Sequence, residues 1–356
     1  MITTIFWSLI LLILYTYIGY PFLLTILSDI KKREFEKNTK LHFISIIIAV
    51  HNEEKTIKQT LRNIKKLEYP KNKLEIIIVD DKSDDKTLEI LRKETEIKVL
   101  EQERKGKTAA QNLGAEKAKG EILVFLDAET IYPNNILEKI NRDFSNGVGL
   151  VSGSNFYKKF SFQKSYEDFI RKKESEIAGI IGATGAIYAI KRQNYTKLDG
   201  KVSSDFVSPA FISRQGLETK YDSEIKSYEK RASNFKSKLR IANQTWFDLW
   251  KIKFLFNPSK YKFLSLELFS HKLLRYLTPF FLIGLFITNL FLLNYQIFQY
   301  FLLAQFFIYF LFILTLIFRK TSFEPAFAII RDFFTTQLAF LIGFMMFILR
   351  IRKVKW

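Results

Sequence analysis

Residues Ile2 to Leu27 contain no charged side chain, and two later runs, Leu273–Leu293 and Ile297–Phe318, are broken only by Arg275. A helix of about 20 apolar residues crosses the hydrocarbon core of a bilayer. These runs confine the chain to membrane-protein architectures before anything else is read. After the first run, positive charge falls at Lys31, Lys32 and Arg33. A cleaved signal peptide would carry its positive charge in front and end at a small-residue cleavage site. The run has neither, so we expect an uncleaved anchor followed by a cytoplasmic region, the side where basic flanks concentrate. A fourth run, Phe333–Leu349, is shorter, contains Thr335, Thr336 and Gln337, and precedes Arg350, Arg352, Lys353 and Lys355. As a span it would take that basic tail outside, against the same charge rule; as a re-entrant or interfacial helix it would not. Both readings stay open, which gives two to three C-terminal spans.

The expected organisation is therefore an anchor over 1–27, a cytoplasmic domain over 28–245, an interfacial amphipathic region over 246–270 and a membrane region over 271–356. The whole would be a multi-pass protein of the cell (inner) membrane. Trp246 to Tyr261 (WFDLWKIKFLFNPSKY) mixes aromatics with lysines, as a helix lying in the lipid interface does. A helix that closes the domain by packing on protein fits the same residues. The net charge of +19, from 55 basic and 36 acidic residues, first suggests nucleic acid or an anionic membrane. No nucleic-acid recognition motif accompanies it, so no nucleic-acid partner is expected and the lipid bilayer is. The lack of cysteine excludes disulfides, thiolate metal sites and a cysteine nucleophile, and three histidines argue against a His-rich zinc centre.

Between the apolar ends, strand and helix patterns alternate. Ser45–Val50 (SIIIAV) reads as a buried parallel strand, and Ile57, Leu61, Ile64 and Leu67 as one helix face ending before Pro70, with Asn52 as its cap. A second strand, Glu75–Val79, leads into an acidic run, Asp80 to Thr87, and another helix. Lys98–Leu100 is a weak third strand, Thr108 to Ala118 a helix, and Glu121–Leu126 a strong fourth strand ending at Asp127-Ala128-Glu129. This order argues for an α/β fold, a doubly wound and mainly parallel sheet, which binds ligands at the carboxyl ends of its strands. The polar clusters at 51–54, 80–87 and 127–129 all fall there. Each alone reads equally as a capped turn. Together, carboxylates at one sheet edge suit a divalent cation, and the cation suits a diphosphate.

Two rival motifs fail. Lys105-Gly106-Lys107-Thr108 resembles the end of a P-loop, but the first glycine of that motif would be at 101, which is Glu101. No strand carries the G-x-G-x-x-G of dinucleotide binding.

At these residues the chain resembles the membrane-bound family-2 glycosyltransferases, whose nucleotide-sugar-binding fold is of the GT-A type, and among them the polysaccharide-synthase-like bacterial members. Ala49 to Glu54 (AVHNEE) is similar to the family's A-Y-N-E segment, with His51 in place of Tyr; Val50, Asn52 and Glu53 then belong to the nucleotide-sugar site. Val79 to Thr87 resembles V-D-D-x-S-x-D-x-T, in which Asp81 would meet the uracil base. Lys105 to Asn112 resembles R-x-G-K-x-x-A-L-N, which places Lys107 near the diphosphate. Asp127-Ala128-Glu129 stands where the family has D-x-D, so Asp127 and Glu129 would hold Mg²⁺ or Mn²⁺, with Glu129 a longer arm than the usual Asp. Gly182 to Ala189 (GATGAIYA) is similar to an acceptor-side segment, which assigns Gly182, Thr184 and Gly185; a turn feeding a strand fits it equally. Asp205 matches the catalytic base, and Ser204 replaces the acid before it. The Q-x-x-R-W of processive members is absent.

The resemblance implies an inverting hexosyl- or N-acetylhexosaminyl-transferase acting on a nucleotide-sugar, with a UDP-sugar favoured, and on a glycan or lipid-linked acceptor at the membrane, in building cell-surface polysaccharide. A processive synthase and a catalytically silent nucleotide-sugar-binding protein are the alternatives.

Overall fold

The computed structural model describes residues 1–356 except 32, 34, 158–160, 230–233, 319–323 and 353–356, and for 324–326 the backbone alone. The chain divides into two compact units, one of residues 1–26, 233–246 and 265–353 and the other centred on residues 27–232 with 247–264.

The second unit is built on an eight-stranded sheet among the described residues. Its strands are β1 (Ile44–Val50), β2 (Leu74–Asp80), β3 (Lys98–Glu101), β4 (Ile122–Asp127), β5 (Thr130–Ile131), β6 (Val148–Tyr157), β7 (Ile187–Lys191) and β8 (Glu218–Glu229), in the order β3-β2-β1-β4-β7-β6-β8-β5. The four expected strands form one parallel half, β3-β2-β1-β4. β1 is buried at all seven positions, which explains its unbroken apolar run. Ile46, Ile48 and Val50 pack into one core with Ile57, Leu61 and Ile64 of the helix Ile57–Ile64. Ile47 and Ala49 face the opposite core with Ala110 and Ala115 of the helix Lys107–Lys117.

The other half of the sheet is mixed. β7 runs antiparallel to both β4 and β6, β8 is parallel to β6, and β5 is antiparallel to β8. The sheet is thus parallel only where alternating strand and helix build it. The chain leaves β1 toward β2 and β3 on one side and returns to β4 on the other, so the strand order reverses between β1 and β4. In an open α/β sheet the crevice at such a reversal is where ligands bind. The ends of those two strands carry residues 51–54 and Asp127.

Among the described residues, four helices are long and apolar enough to cross a membrane, each lying mostly in the first unit: Ile2–Ile30, Phe263–Leu290, Gln296–Ile317 and Phe327–Ile348. The fourth includes the polar run left open by sequence and has 22 residues, or about 33 Å at 1.5 Å per residue, enough for a bilayer core. Some of its polar groups find partners within the unit, while Thr336 Oγ1 and Gln337 Oε1 make no hydrogen bond. Lys238 Nζ pairs with Asp332 at 3.0 Å and donates to Thr335 Oγ1 at 2.9 Å, and Gln337 Nε2 donates to Tyr17 at 3.1 Å.

The helix Lys107–Lys117 approaches β1 closely because residue 114 is glycine: a Cβ there would lie 2.5 Å from Ile47 Cγ2 and 3.4 Å from Val79 Cγ2. Gly114→Ala is expected to destabilise the protein by about 1–3 kcal/mol through overpacking. Denaturation of the purified protein measures this, and an unchanged midpoint would show that the helix has room to withdraw.

Candidate active site

Three loops meet at the carboxyl ends of β1, β2 and β4, and several of their acidic groups hold the turns in place. Asp80 accepts the Ser83 N–H at 2.9 Å, and Asp85 accepts the Thr87 N–H at 2.9 Å. Asn52 adopts φ +57°, a left-handed conformation that Asn tolerates. There it caps no helix, contrary to expectation, since the first helical residue is Ile57. Its N–H donates to Ser83 Oγ at 3.0 Å and its Oδ1 accepts the Asp84 N–H at 2.8 Å, which joins the first loop to the second. Glu53 N–H donates to Thr87 Oγ1 at 2.7 Å. Val50 is buried, and its carbonyl accepts the Asp81 N–H at 2.9 Å.

Asp81 has no exposed surface. Its carboxylate accepts four hydrogen bonds: from Gln102 Nε2 at 2.7 Å, Arg104 Nη1 at 2.9 Å, Lys105 N–H at 2.8 Å and Gly106 N–H at 2.9 Å. Here the group that the family resemblance gives to the base is engaged entirely by its own chain. Gly106 turns with φ +94°, and the helix begins at Lys107.

Lys107 Nζ lies 2.5 Å from Asp127 Oδ1 and 3.3 Å from the Gly185 carbonyl oxygen. A methyl group on Gly185 would sit 3.0 Å from Asp205 Oδ2 and 4.0 Å from Lys107 Nζ, so glycine keeps the space between the Asp205 carboxylate and the ammonium open. The expected site residues Lys107, Asp127, Gly185 and Asp205 are therefore together, although up to 98 positions separate them. Asp205 lies in the first turn of the helix Ser204–Arg214, retaining some accessible surface while protein surrounds it. Burial raises its pKa above the ordinary carboxylate value and Asp127 adds to this, against the opposing pull of Lys107 and Arg171. Ser204, the residue in place of an acid, donates to Gln111 Oε1, which also accepts the Tyr188 hydroxyl at 3.2 Å.

In the segment 182–189 Gly182 is buried, and Thr184 is held from three directions. Its N–H donates to Ser152 Oγ at 2.8 Å, its hydroxyl donates to the Gly153 carbonyl at 2.5 Å, and it accepts from Arg171 Nη1 at 2.7 Å. Arg171 and Ser152 belong to no motif and were not singled out from sequence, and Gln111, inside the segment 105–112, was given no role. Asp248 was also missed; it accepts the Ser203 N–H at 3.1 Å at the start of the helix that bears Asp205.

Asp127 is half-buried and Glu129 exposed. Together with Glu53 they supply hard oxygen donors, the chemistry that Mg²⁺ and Mn²⁺ take. Glu129 and Asp127 both act on Glu53, so the three carboxylates are neighbours with the donor chemistry a divalent cation takes, without being drawn together into a formed site.

Comparison with known proteins relates part of the chain to a family. Residues 45–218 fit the family model described as Glycosyl transferase family 2. The chain carries a family 2 glycosyl transferase domain. Among relatives of this domain, the glycosyltransferase AglE of Haloferax volcanii is 38% identical over 121 residues, 32% of this chain and 40% of that protein. The poly-beta-1,6-N-acetyl-D-glucosamine synthase of Staphylococcus epidermidis is 29% identical over 222 residues, 58% of this chain and 52% of that one. The chain thus spans about half the length of these relatives. Among solved structures, the mannosyltransferase PcManGT from Pyrobaculum calidifontis, in complex with GDP-Man and Mn²⁺, superposes with a TM-score of 0.76. At 18% identity it covers 97% of this chain and is itself covered to 98%, which shows a shared fold, the GT-A type with helices apolar enough to span a membrane.

Burial raises Glu53 from 4.5 to about 7, with Glu129, Asp127 and Asp85 adding to the effect and the Thr56 hydroxyl opposing it. The folded state therefore binds more protons than the unfolded chain between these values. This contribution to stability is full below pH 4.5 and is lost as pH rises to about 7. Glu53→Gln cannot ionise, so it should raise the thermal midpoint at pH 8 and leave it unchanged near pH 4. Equal shifts at both pH values would sink this account.

Proposed function

We propose that this protein is an inverting glycosyltransferase that moves a sugar from a nucleotide-sugar to a glycan or lipid-linked acceptor at the cytoplasmic face of the cell membrane. The observation that carries the reading is the convergence of Lys107, Asp127, Gly185 and Asp205 at the reversal point of the sheet. The sugar's C1 sits between the diphosphate, near Lys107 and Asp127, and the acceptor hydroxyl, near Asp205. Asp205 takes the hydroxyl proton, the acceptor oxygen bonds to C1, and the bond from C1 to the diphosphate oxygen breaks with its electron pair. One base and no enzyme nucleophile give inversion. Lys107 offsets charge developing on the leaving diphosphate. When bound, a divalent cation supplies further charge stabilisation there, and Asp127 and Glu129 would hold it. Asp81 holds residues 102–106 so that Lys107 enters the site at the start of its helix.

The relative named as a polymer synthase favours a second reading, processive synthesis of an N-acetylhexosamine chain. Product length separates the two.

The test is release of nucleoside diphosphate from a panel of UDP- and GDP-sugars, with Mg²⁺ or Mn²⁺ and a membrane lipid extract, by the detergent-purified protein. Asp205→Asn is expected to lower turnover at least about a hundredfold, as loss of a general base does, with nucleotide binding retained. The raised pKa of Asp205 should put the acid limb of kcat above the usual carboxylate range of about 4. Loss of binding along with turnover would remove Asp205 from the role of base, and absence of release with every donor would overturn the proposed activity.

A further inference from the structure

We propose that the Tyr132 hydroxyl positions the reaction site: it spaces the strand end bearing Asp127 from the turn bearing Gly185 and so sets the gap between the donor and acceptor sides. This rests on the reading of the site as a sugar-transfer centre.

The geometry comes from where β4 and β7 part. Their ladder runs as far as Leu126 opposite Ile187. One residue further on, the Asp127 N–H faces the Ala186 carbonyl at a long 3.3 Å and the Tyr132 hydroxyl at 2.8 Å. The hydroxyl in turn donates toward the Ala186 carbonyl at 2.8 Å and the Asp127 carbonyl at 3.0 Å. A phenol oxygen thus shares both the donor and the acceptor of the last bond between the two strands, which is left long. Tyr132 is 1% exposed, so the gap it fills is closed to bulk water. Tyr132 is itself clamped by its backbone. Its N–H donates to Asn63 Oδ1 at 2.8 Å, and its carbonyl accepts from Asn63 Nδ2 at 2.8 Å. A connection therefore runs from the helix Ile57–Ile64 through Asn63 and Tyr132 to both strand ends.

Those strand ends are the two sides of the site. The Asp127 carboxylate binds Lys107 Nζ, and the same ammonium reaches the Gly185 carbonyl, next to the Ala186 carbonyl that Tyr132 holds. Without the hydroxyl, the Asp127 N–H retains only the Ala186 carbonyl. Closing that bond draws the turn toward β4 and narrows the space beside Asp205. Tyr132 acts through backbone and not on substrate, so it is a positioning residue.

Tyr132→Phe removes one oxygen and keeps the packed ring. Its nucleoside diphosphate Kd should stay within about twofold while kcat falls roughly ten- to a hundredfold, the scale of a small misplacement of reacting groups. Asn63→Ala should lower kcat in the same way, and the double variant should be no worse than Tyr132→Phe. Unchanged kcat would overturn the proposal, as would kcat, Kd and thermal midpoint failing together. Amide hydrogen exchange decides the spacing independently of turnover. Exchange across residues 184–187 should slow in Tyr132→Phe as the ladder closes, whereas equal or faster exchange would show a tie and no spacer. If the wild-type protein turns over no donor, the sugar-transfer reading falls, and the exchange result still stands for or against the spacer.

Discussion

The site depends on a buried carboxylate. Asp81 lies under the surface at the end of β2 and is matched by four donors from residues 102–106. Burying an ionised group is costly unless its lone pairs are filled, and here two side chains and two backbone amides fill them. The consequence is local order in a segment with few apolar residues of its own. That order places Gly106 at the turn and Lys107 at the first position of its helix, from which the ammonium reaches Asp127.

Around this anchor the protein keeps a concentration of like charge. Glu53, Asp127 and Glu129 converge, and the fold tolerates Glu53 by letting its pKa rise to about 7. Asp205 is held with a raised pKa in a recess that Lys107 only partly neutralises. Such strain is what a site for a cation and a diphosphate would carry before its ligands arrive. The other acids of these loops, Asp80 and Asp85, have ordinary structural partners, which separates turn-forming carboxylates from those left facing the crevice.

The parallel half of the sheet was legible because strands buried on both faces must be largely apolar, as β1 and β4 are apart from Ser45 and Asp127, and because helices with one apolar face alternate with the strands. β6 and β8 escaped notice for the converse reason. β8 (ETKYDSEIKSYE) alternates charged and small residues, and β6 (VGLVSGSNFY) is interrupted by glycine. Their strand state comes from pairing with each other, and from the pairing of β6 with β7 and of β8 with β5. Asn52 looked like a helix cap because caps and loop-bridging residues share the same chemistry, and only the position of the second loop decides between them.

What the sequence determined by itself was the set of reactive groups and the edge on which they lie, since strand periodicity places residues 51–54, 80–87 and 127–129 at the same ends of neighbouring strands. It also determined that apolar helices flank the domain, because length and composition suffice for that. Tertiary structure alone decided which acids are sealed and which face the crevice. It alone brought Gly185 and Asp205 beside Lys107, and it made Tyr132 and Asn63 part of the site. Those facts depend on contacts between residues tens of positions apart, and a hydroxyl has no motif until the two strand ends it separates are seen in space.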